Sequence, residues 1–276
     1  MNRKIIFLDI DGTLTEPGKN EPPESALQAV KKAREKGNLV FLCTGRNYDM
    51  MKPLLKYEFD GFIASSGGFI QCGEELIYDC PMTEEQRVSA LEVFERNQVF
   101  RTVECKDGSY TDEGFKEFLI KNAEASGNSE FLRWREQIET TLNIRPMAEY
   151  QGQPIYKIVM MVDEEEKLNE PRTLLEQDFQ FCVQEKNSQG FLNCELINRR
   201  FDKGQAVKRV CEYLQIPMEE TVAFGDSMND LEMMETAAFS ICMENGSEAL
   251  KKVADEICPA VDEDGLYQAF KKYDLI

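Results

Sequence analysis

The stretch Lys4 to Thr15, KIIFLDIDGTLT, decides the fold, because an apolar run ends there on two aspartates. Residues Lys4 to Leu8 are almost all apolar, which is typical of a strand buried on both faces of a parallel sheet. Asp9 and Asp11 follow at the end of this strand, and Gly12 allows the backbone to turn sharply or to approach a ligand closely. Ligands of open α/β sheets collect at that edge. The stretch therefore predicts an α/β fold with an acidic site at the end of its first strand.

Two carboxylates this close repel each other unless a cation compensates them or one of them holds a proton. Mg²⁺ takes oxygen ligands and can bridge a carboxylate to a phosphate. Such an arrangement suits phosphoryl transfer, in which an aspartate can be the nucleophile. The alternative from these residues alone is a strand followed by an ordinary Asp-Gly turn. An EF-hand fits less well, because the glycine comes too early and no glutamate closes the loop.

A second strand ends on residues that suit a phosphate. Leu39 to Cys43 is apolar, follows a predicted helix and leads directly into Thr44 and Gly45. The resulting right-handed strand-helix-strand unit places the end of this strand beside the end of the first. A hydroxyl and a glycine N–H before a helix can cradle a phosphate, although the same residues are also typical of an ordinary turn.

The segment Gly225 to Asp230, GDSMND, is a second acidic strand end, since it follows the apolar run Thr221 to Phe224. If the chain turns helical after Ser227, Asp226 and Asp230 face the same point and offer oxygen ligands to a hard cation. The alternative is that both aspartates only cap a helix.

Lys203 precedes Gly204 at the predicted start of a helix that runs to about Leu214. A lysine near a helix N-terminus is poorly placed for the helix macrodipole unless it faces an anion. The alternative is a solvated surface lysine, because Arg199 and Arg200 offer competing positive charge nearby.

Composition excludes several classes of function. The formal net charge of −19 argues against nucleic acid and anionic membrane surfaces as partners, because both bind basic patches. No apolar run reaches the length of a membrane span and the N-terminus lacks the pattern of a signal peptide, so we expect a cytoplasmic protein. No protein partner is evident from the sequence.

Residue usage also limits the chemistry. The sequence contains no histidine, so acid–base reactions near neutral pH fall to carboxylates, Lys, Tyr or Cys. Its nine cysteines form no CxxC pair, which indicates reduced core thiols rather than a disulfide framework or a zinc site.

Taken together, these segments resemble the motifs of the haloacid dehalogenase-like phosphohydrolases. Asp9 to Leu14 is similar to the first motif, Thr44-Gly45-Arg46 to the second, Lys203 with Gly204 to the third, and GDSMND to the fourth. The long insertion between the second and third motifs resembles that of Cof-type sugar-phosphate phosphatases. The resemblance implies a Rossmann-like parallel-sheet core with an inserted α+β cap domain of the C2B type. We expect residues 1–82 and 197–276 to form the core and residues 83–196 to form the cap.

The cap region itself predicts an open-faced α+β unit with one solvent-exposed sheet face. Its predicted helices include residues 112–125, 129–142 and 164–177.

The resemblance also implies a role for each site residue. Asp9 would attack phosphorus, Asp11 would act as general acid and then as general base, and Lys203 would neutralise the phosphoryl group and the nucleophile. The substrate phosphoryl group would be held by Thr44, Gly45, Lys203 and Asn229.

The implied cofactor is Mg²⁺. Its ligands would be the carboxylates of Asp9 and Asp226 and the main-chain carbonyl of Asp11, with Asp230 supporting the site. Two segments depart from the usual motifs of such phosphatases, Ser66-Gly67-Gly68 in place of Asn-Gly-Ala and Met243-Glu244-Asn245-Gly246 in place of Met-Gly-Asn-Ala. The roles of Ser66 and Asn245 therefore stay open.

The sequence predicts a Mg²⁺-dependent phosphatase that acts on a small phosphorylated metabolite, such as a sugar phosphate, through a phosphoaspartyl intermediate. One alternative is a phosphomutase of the same superfamily, which shares the start of the first motif and the type of cap. A second is a non-catalytic protein that binds a phosphorylated ligand, against which the intact set of site residues argues.

Overall fold

The computed structural model describes residues 3–17, 19–114, 143–183 and 192–276. The strands of these residues are β1 (Ile5–Leu8), β2 (Leu39–Cys43), β3 (Gly61–Ala64), β4 (Phe69–Cys72), β5 (Glu75–Asp79), β6 (Phe100–Cys105), β7 (Gly108–Thr111), β8 (Ile144–Pro146), β9 (Ile155–Val162), β10 (Phe179–Val183), β11 (Leu192–Asn198), β12 (Thr221–Gly225), β13 (Phe239–Met243) and β14 (Glu256–Cys258). Their α-helices are Glu24–Glu35, Tyr48–Met51, Glu84–Arg96, Asn169–Leu175, Lys203–Leu214, Leu231–Thr236, Glu248–Lys251 and Gly265–Lys272.

The chain divides into two compact units. The first comprises Met1–Arg46, Met51–Asp79 and Phe201–Ile276, and the second comprises Asn47–Met50 and Cys80–Arg200. The fold is therefore α/β with a second unit inserted into the first. The predicted domain boundaries and the role of the insertion as a cap stay predictions.

An eight-stranded sheet forms the centre of the first unit, in the order β14-β13-β12-β1-β2-β3-β4-β5. The strands from β14 to β3 are parallel, and β4 and β5 add an antiparallel hairpin at one edge. Every residue of β1, β2 and β12 is buried, as expected for parallel strands covered on both faces. Leu8 pairs with Leu42 on one side and with Phe224 on the other. The carboxyl ends of β1, β2 and β12, which the sequence predicted to form the site, therefore lie side by side.

The second unit contains a six-stranded sheet in the order β10-β11-β9-β6-β7-β8. Its strands pair antiparallel except for β7 and β8. One face packs in a hydrophobic cluster that includes Phe94, Ile158, Phe179 and Leu196.

The expectation of a solvent-exposed sheet face in this unit is wrong. All eight residues of β9 are buried, including Lys157. Its ammonium group lies 2.8 Å from Glu195 Oε1 and 3.6 Å from Glu104 Oε2. Both glutamates are buried as well. Because these charges pair with one another, the polar face can be buried without an uncompensated ion.

Two of the helices predicted in the insertion, 112–125 and 129–142, lie outside the described residues except for 112–114. The third, 164–177, is divided into a 3₁₀ turn, Glu165–Leu168, and the helix Asn169–Leu175. In the described part of the chain, no helix combines the length and the hydropathy that a membrane span requires.

Candidate active site

A tight loop follows β1 and holds the first motif. The N–H of Asp9 donates to the carbonyl of Phe224 at 3.0 Å, so the pairing of β1 with β12 continues to Asp9. The carbonyl of Ile10 then accepts from the three N–H groups of Thr13, Leu14 and Thr15. Gly12 lies inside this loop with φ of +87°, a left-handed conformation that favours glycine.

The loop after β1 contacts the loop after β12. Thr13 Oγ1 donates to Asp226 Oδ1 at 3.2 Å. A Cβ atom on Gly12 would lie 2.4 Å from Asp226 Oδ2, so only a glycine lets the two loops approach this closely. The two acidic strand ends predicted from the sequence therefore meet.

Lys203 connects the two acidic segments. Its side chain is 1% exposed, and its Nζ atom donates to Asp9 Oδ1 at 2.7 Å and to Asp230 Oδ1 at 2.6 Å. The residue begins the helix Lys203–Leu214, whose N-cap is Asp202. A solvated surface position is thereby excluded, and the lysine faces the anions that its place at a helix N-terminus requires.

Asp230 has both carboxylate oxygens engaged within the protein. Oδ1 accepts from Lys203, and Oδ2 accepts from the N–H groups of Asp226 and Ser227 at 3.0 and 3.1 Å. A Cβ atom on Gly225 would lie 2.8 Å from Asp230 Oδ2, which explains the glycine at the start of GDSMND. The structure thus places Asp230 as a support for Lys203 and for the turn that carries Asp226.

Asp9, Asp226 and Asp230 form a buried acidic cluster in which the carboxylate oxygens that could hold a metal lie within 4.8 Å of one another. Burial and the neighbouring Asp230 raise the pKa of Asp9 to about 8, although Lys203 lowers it. Burial, Asp9 and Asp230 likewise raise the pKa of Asp226 well above its usual value. Burial disfavours the charged form of Lys203, but Asp230 and Asp9 outweigh it and raise the pKa of the ammonium group.

Comparison with known proteins agrees with this geometry. A family model described as haloacid dehalogenase-like hydrolase matches residues 6–270. The chain belongs to the haloacid dehalogenase-like hydrolases.

Several known proteins are similar to this chain over almost their whole length. Phosphatase YwpJ of Bacillus subtilis (strain 168) is 27% identical, covering 97% of this chain and 99% of YwpJ. The 5-amino-6-(5-phospho-D-ribitylamino)uracil phosphatase YwtE of the same organism is 26% identical, covering 95% of each chain. A solved haloacid dehalogenase-like hydrolase from B. subtilis has a TM-score of 0.79 at 26% identity and covers 97% of this chain and 99% of its own.

The acidic cluster of this haloacid dehalogenase-like hydrolase fits a hard divalent cation. Its three carboxylates and one ammonium group leave two formal negative charges. The atoms that could coordinate a metal are all carboxylate oxygens, which are the ligands that Mg²⁺ prefers. Because both oxygens of Asp230 are engaged, Asp9 and Asp226 are the carboxylates that can turn an oxygen toward a cation. The Asp11 carbonyl as a third ligand stays a prediction.

The Asp11 carboxylate is not one of the three carboxylates of that cluster, and it pairs with Arg46. Two hydrogen bonds join them, from Arg46 Nε to Asp11 Oδ2 at 2.9 Å and from Nη2 to Oδ1 at 2.8 Å. The resemblance implies roles for Thr44 and Gly45 of this motif but none for Arg46, which follows them. An arginine is rarely buried unless a carboxylate pairs with it, but the sequence does not show that Arg46 is buried or which carboxylate it meets.

The remaining predicted residues line the same region of the hydrolase core. Thr44 is buried, and its hydroxyl accepts from the N–H of Arg46 at 3.1 Å, which leaves the hydroxyl proton as a donor. Gly45 follows it directly. Asn229 is exposed, and its Oδ1 accepts from Ser227 Oγ at 2.9 Å and from Lys203 Nζ at 3.3 Å.

The two residues of open role have different environments. Asn245 uses its amide within the protein, since Nδ2 donates to the Gly12 carbonyl at 2.8 Å and Oδ1 accepts from the Val261 N–H at 3.0 Å. Ser66 is buried in a left-handed conformation, with φ of +57°, and its N–H donates to the Thr44 carbonyl at 3.0 Å. Asn245 thus fixes the loop after β1, and Ser66 fixes the end of β2.

Proposed function

We propose that this phosphatase hydrolyses small phosphorylated metabolites, such as sugar phosphates, through a phosphoaspartyl intermediate on Asp9 and with Mg²⁺ as cofactor. The observation that supports this most is the Lys203 ammonium group bonded to Asp9 and Asp230 in a buried acidic cluster that includes Asp226. The Lys203 ammonium group is fixed on the Asp9 carboxylate at the end of a strand. There it can attract an anionic phosphoryl group and align it with that carboxylate.

In the first step a carboxylate oxygen of Asp9 bonds to phosphorus while the bond from phosphorus to the leaving oxygen breaks. Lys203 holds Asp9 Oδ1, which orients the carboxylate and leaves Oδ2 for the attack. Asp11 protonates the departing oxygen. The Lys203 ammonium group, the Thr44 hydroxyl and the Gly45 N–H would hold the phosphoryl oxygens, with Asn229 beside Lys203.

In the second step water attacks phosphorus and the bond between phosphorus and Asp9 breaks. Asp11 takes a proton from the water, which restores its protonated form, and inorganic phosphate leaves. When bound, Mg²⁺ supplies positive charge that offsets the repulsion between Asp9 and an anionic substrate. The ligands of Mg²⁺ would be the Asp9 and Asp226 carboxylates and the Asp11 carbonyl.

The relatives support the proposed class of substrate. One is named a phosphatase of 5-amino-6-(5-phospho-D-ribitylamino)uracil, a small organic phosphate. A net charge of −19 leaves only local cations to attract an anionic substrate, which favours a small ligand that one lysine and one divalent cation can neutralise.

A panel of phosphorylated metabolites, scored for release of inorganic phosphate with Mg²⁺ and with EDTA, tests the proposal. We expect release that requires the metal and falls by orders of magnitude in Asp9→Asn, which keeps the size of the side chain but lacks the anionic nucleophile. Circular dichroism of the variant controls for folding. Substantial phosphate release by a folded Asp9→Asn variant would show that the phosphoaspartyl mechanism is wrong.

A further inference from the structure

Arg46 and Asp11 form a buried ion pair in the first unit. The arginine side chain is 0% exposed and that of Asp11 is 7% exposed. Arg46 Nε donates to Asp11 Oδ2 at 2.9 Å and Nη2 donates to Oδ1 at 2.8 Å, so each carboxylate oxygen accepts one bond. This paired geometry fixes the plane of the carboxylate as well as its position.

The guanidinium group is also anchored independently of Asp11. Nη1 donates to Asn20 Oδ1 at 2.8 Å, and Nη2 lies 3.4 Å from the carbonyl of Lys19. The main chain of Arg46 is held as well, since its N–H donates to Thr44 Oγ1 and its carbonyl accepts from Ser65. Arg46 therefore has a fixed position that does not depend on the orientation of Asp11.

We propose that Arg46 is a positioning residue for proton transfer, which it serves by holding the Asp11 side chain in the orientation in which it gives and takes the proton. The inference rests on the proposed function, because it concerns the residue that transfers the proton there. Arg46 does not itself touch the phosphoryl group. Its effect on the reaction passes through Asp11.

Two consequences follow from action through Asp11. Removing the guanidinium group frees the Asp11 side chain to adopt other rotamers, so fewer enzyme molecules have the proton donor aligned, and kcat falls while KM changes little. The loss is larger for an alkyl phosphate, whose leaving oxygen needs a proton, than for p-nitrophenyl phosphate, whose leaving group is stable as an anion.

Arg46→Lys is the first test, because it keeps the positive charge and removes the two-bond geometry. We expect kcat for an alkyl phosphate to fall by roughly tenfold to a hundredfold, in line with the cost of misplacing a catalytic group. In an Asp11→Asn background the same substitution should cause no further loss. Arg34→Lys is a matched control, since Arg34 makes the same pair of bonds to Asp60, at 3.1 and 3.2 Å, away from the acidic cluster.

Asn20→Ala is a milder second variant that removes one anchor of Arg46, and it serves if Arg46→Lys does not fold. The inference is overturned if kcat is unchanged in the folded variant, if only KM rises, or if the losses from Arg46→Lys and Asp11→Asn multiply independently. Failure of the proposed function is recognised separately, by metal-independent turnover or by an active Asp9→Asn variant.

Discussion

A single ammonium group compensates carboxylates from two distant parts of the chain. Lys203 bonds to Asp9 and Asp230, which are separated from it by 194 and 27 positions. Removal of one partner from such a buried pair is costly because it leaves an uncompensated charge. The lysine therefore contributes to stability as well as to the proposed chemistry.

Lys203→Met tests this double role, because methionine fills a similar volume without charge. We expect the free energy of unfolding in EDTA to fall by about 3 kcal/mol, the usual cost of breaking a buried ion pair. Saturating Mg²⁺ should restore part of it, since a divalent cation can compensate the same carboxylates. Urea denaturation measures both quantities. Lys157→Met, which removes a buried lysine from the second unit, should show no such recovery, and equal recovery in the two variants would contradict the assignment.

The raised pKa of Asp9 predicts how metal-free stability depends on pH. Between its ordinary value of 3.8 and about 8, the folded state holds a proton that the unfolded state releases, so the free energy of unfolding falls as pH rises through this window. A bound divalent cation displaces that proton. Mg²⁺ should therefore raise the melting temperature more at about pH 8 than at about pH 6. If Mg²⁺ raises the melting temperature equally at both pH values, the metal-free protein does not hold the expected proton on Asp9.

At the scale of elements, the loop after β1 depends on one glycine. Gly12 combines a left-handed φ of +87° with a position where a Cβ atom would meet the Asp226 carboxylate. Asp226 cannot turn away without losing its bond from Thr13. The loop and Asp226 are therefore coupled by direct contact.

Gly12→Ala should weaken Mg²⁺ binding by displacing Asp226, and it should raise the Mg²⁺ concentration needed for half-maximal activity. Gly37→Ala is the matched control. Gly37 has a similar φ of +97° but no heavy atom within 4 Å of its hypothetical Cβ, so its substitution adds backbone strain without a clash. If the Mg²⁺ titrations of the two variants coincide, backbone strain alone accounts for the weaker Mg²⁺ binding.

The elements that the sequence predicted are those with strong local signals. β1, β2 and β12 are almost entirely apolar runs that end on the residues of the motifs. The sequence did not predict the short strand β8, because it contains a proline and because its partner strand, β7, is more than 30 residues away in the chain. The helix predicted over 164–177 is shorter because Pro171 lacks the N–H that a helix continuing from residue 167 would need.

The sequence predicted those site residues whose type is seldom found at such a position without a functional role. Asp9, Asp226 and Lys203 stood at strand ends or at a helix start, and the structure brings them together. The pair between Asp11 and Arg46 was not predicted, because the two residues are 35 positions apart and nothing local reports which carboxylate an arginine will meet.

At the scale of the whole molecule, the two units have separate hydrophobic clusters. Units with their own cores can unfold in separate steps. We expect two transitions in denaturant, with Mg²⁺ raising the midpoint of only one, because the acidic cluster belongs entirely to the first unit. Lys157→Met should lower the midpoint of the other transition. A single transition that Mg²⁺ shifts as a whole would contradict independent unfolding.

The position of β1 in the central sheet has a consequence for synthesis on the ribosome. β1 can pair with β2 early, but its other neighbour, β12, is made only after the whole insertion has been translated. Until then one edge of a fully apolar strand has no partner within its own sheet, and such edges are sites of aggregation. A nascent chain that stalls before Thr221 would present this edge, and it would be a natural client for chaperones that bind extended apolar segments.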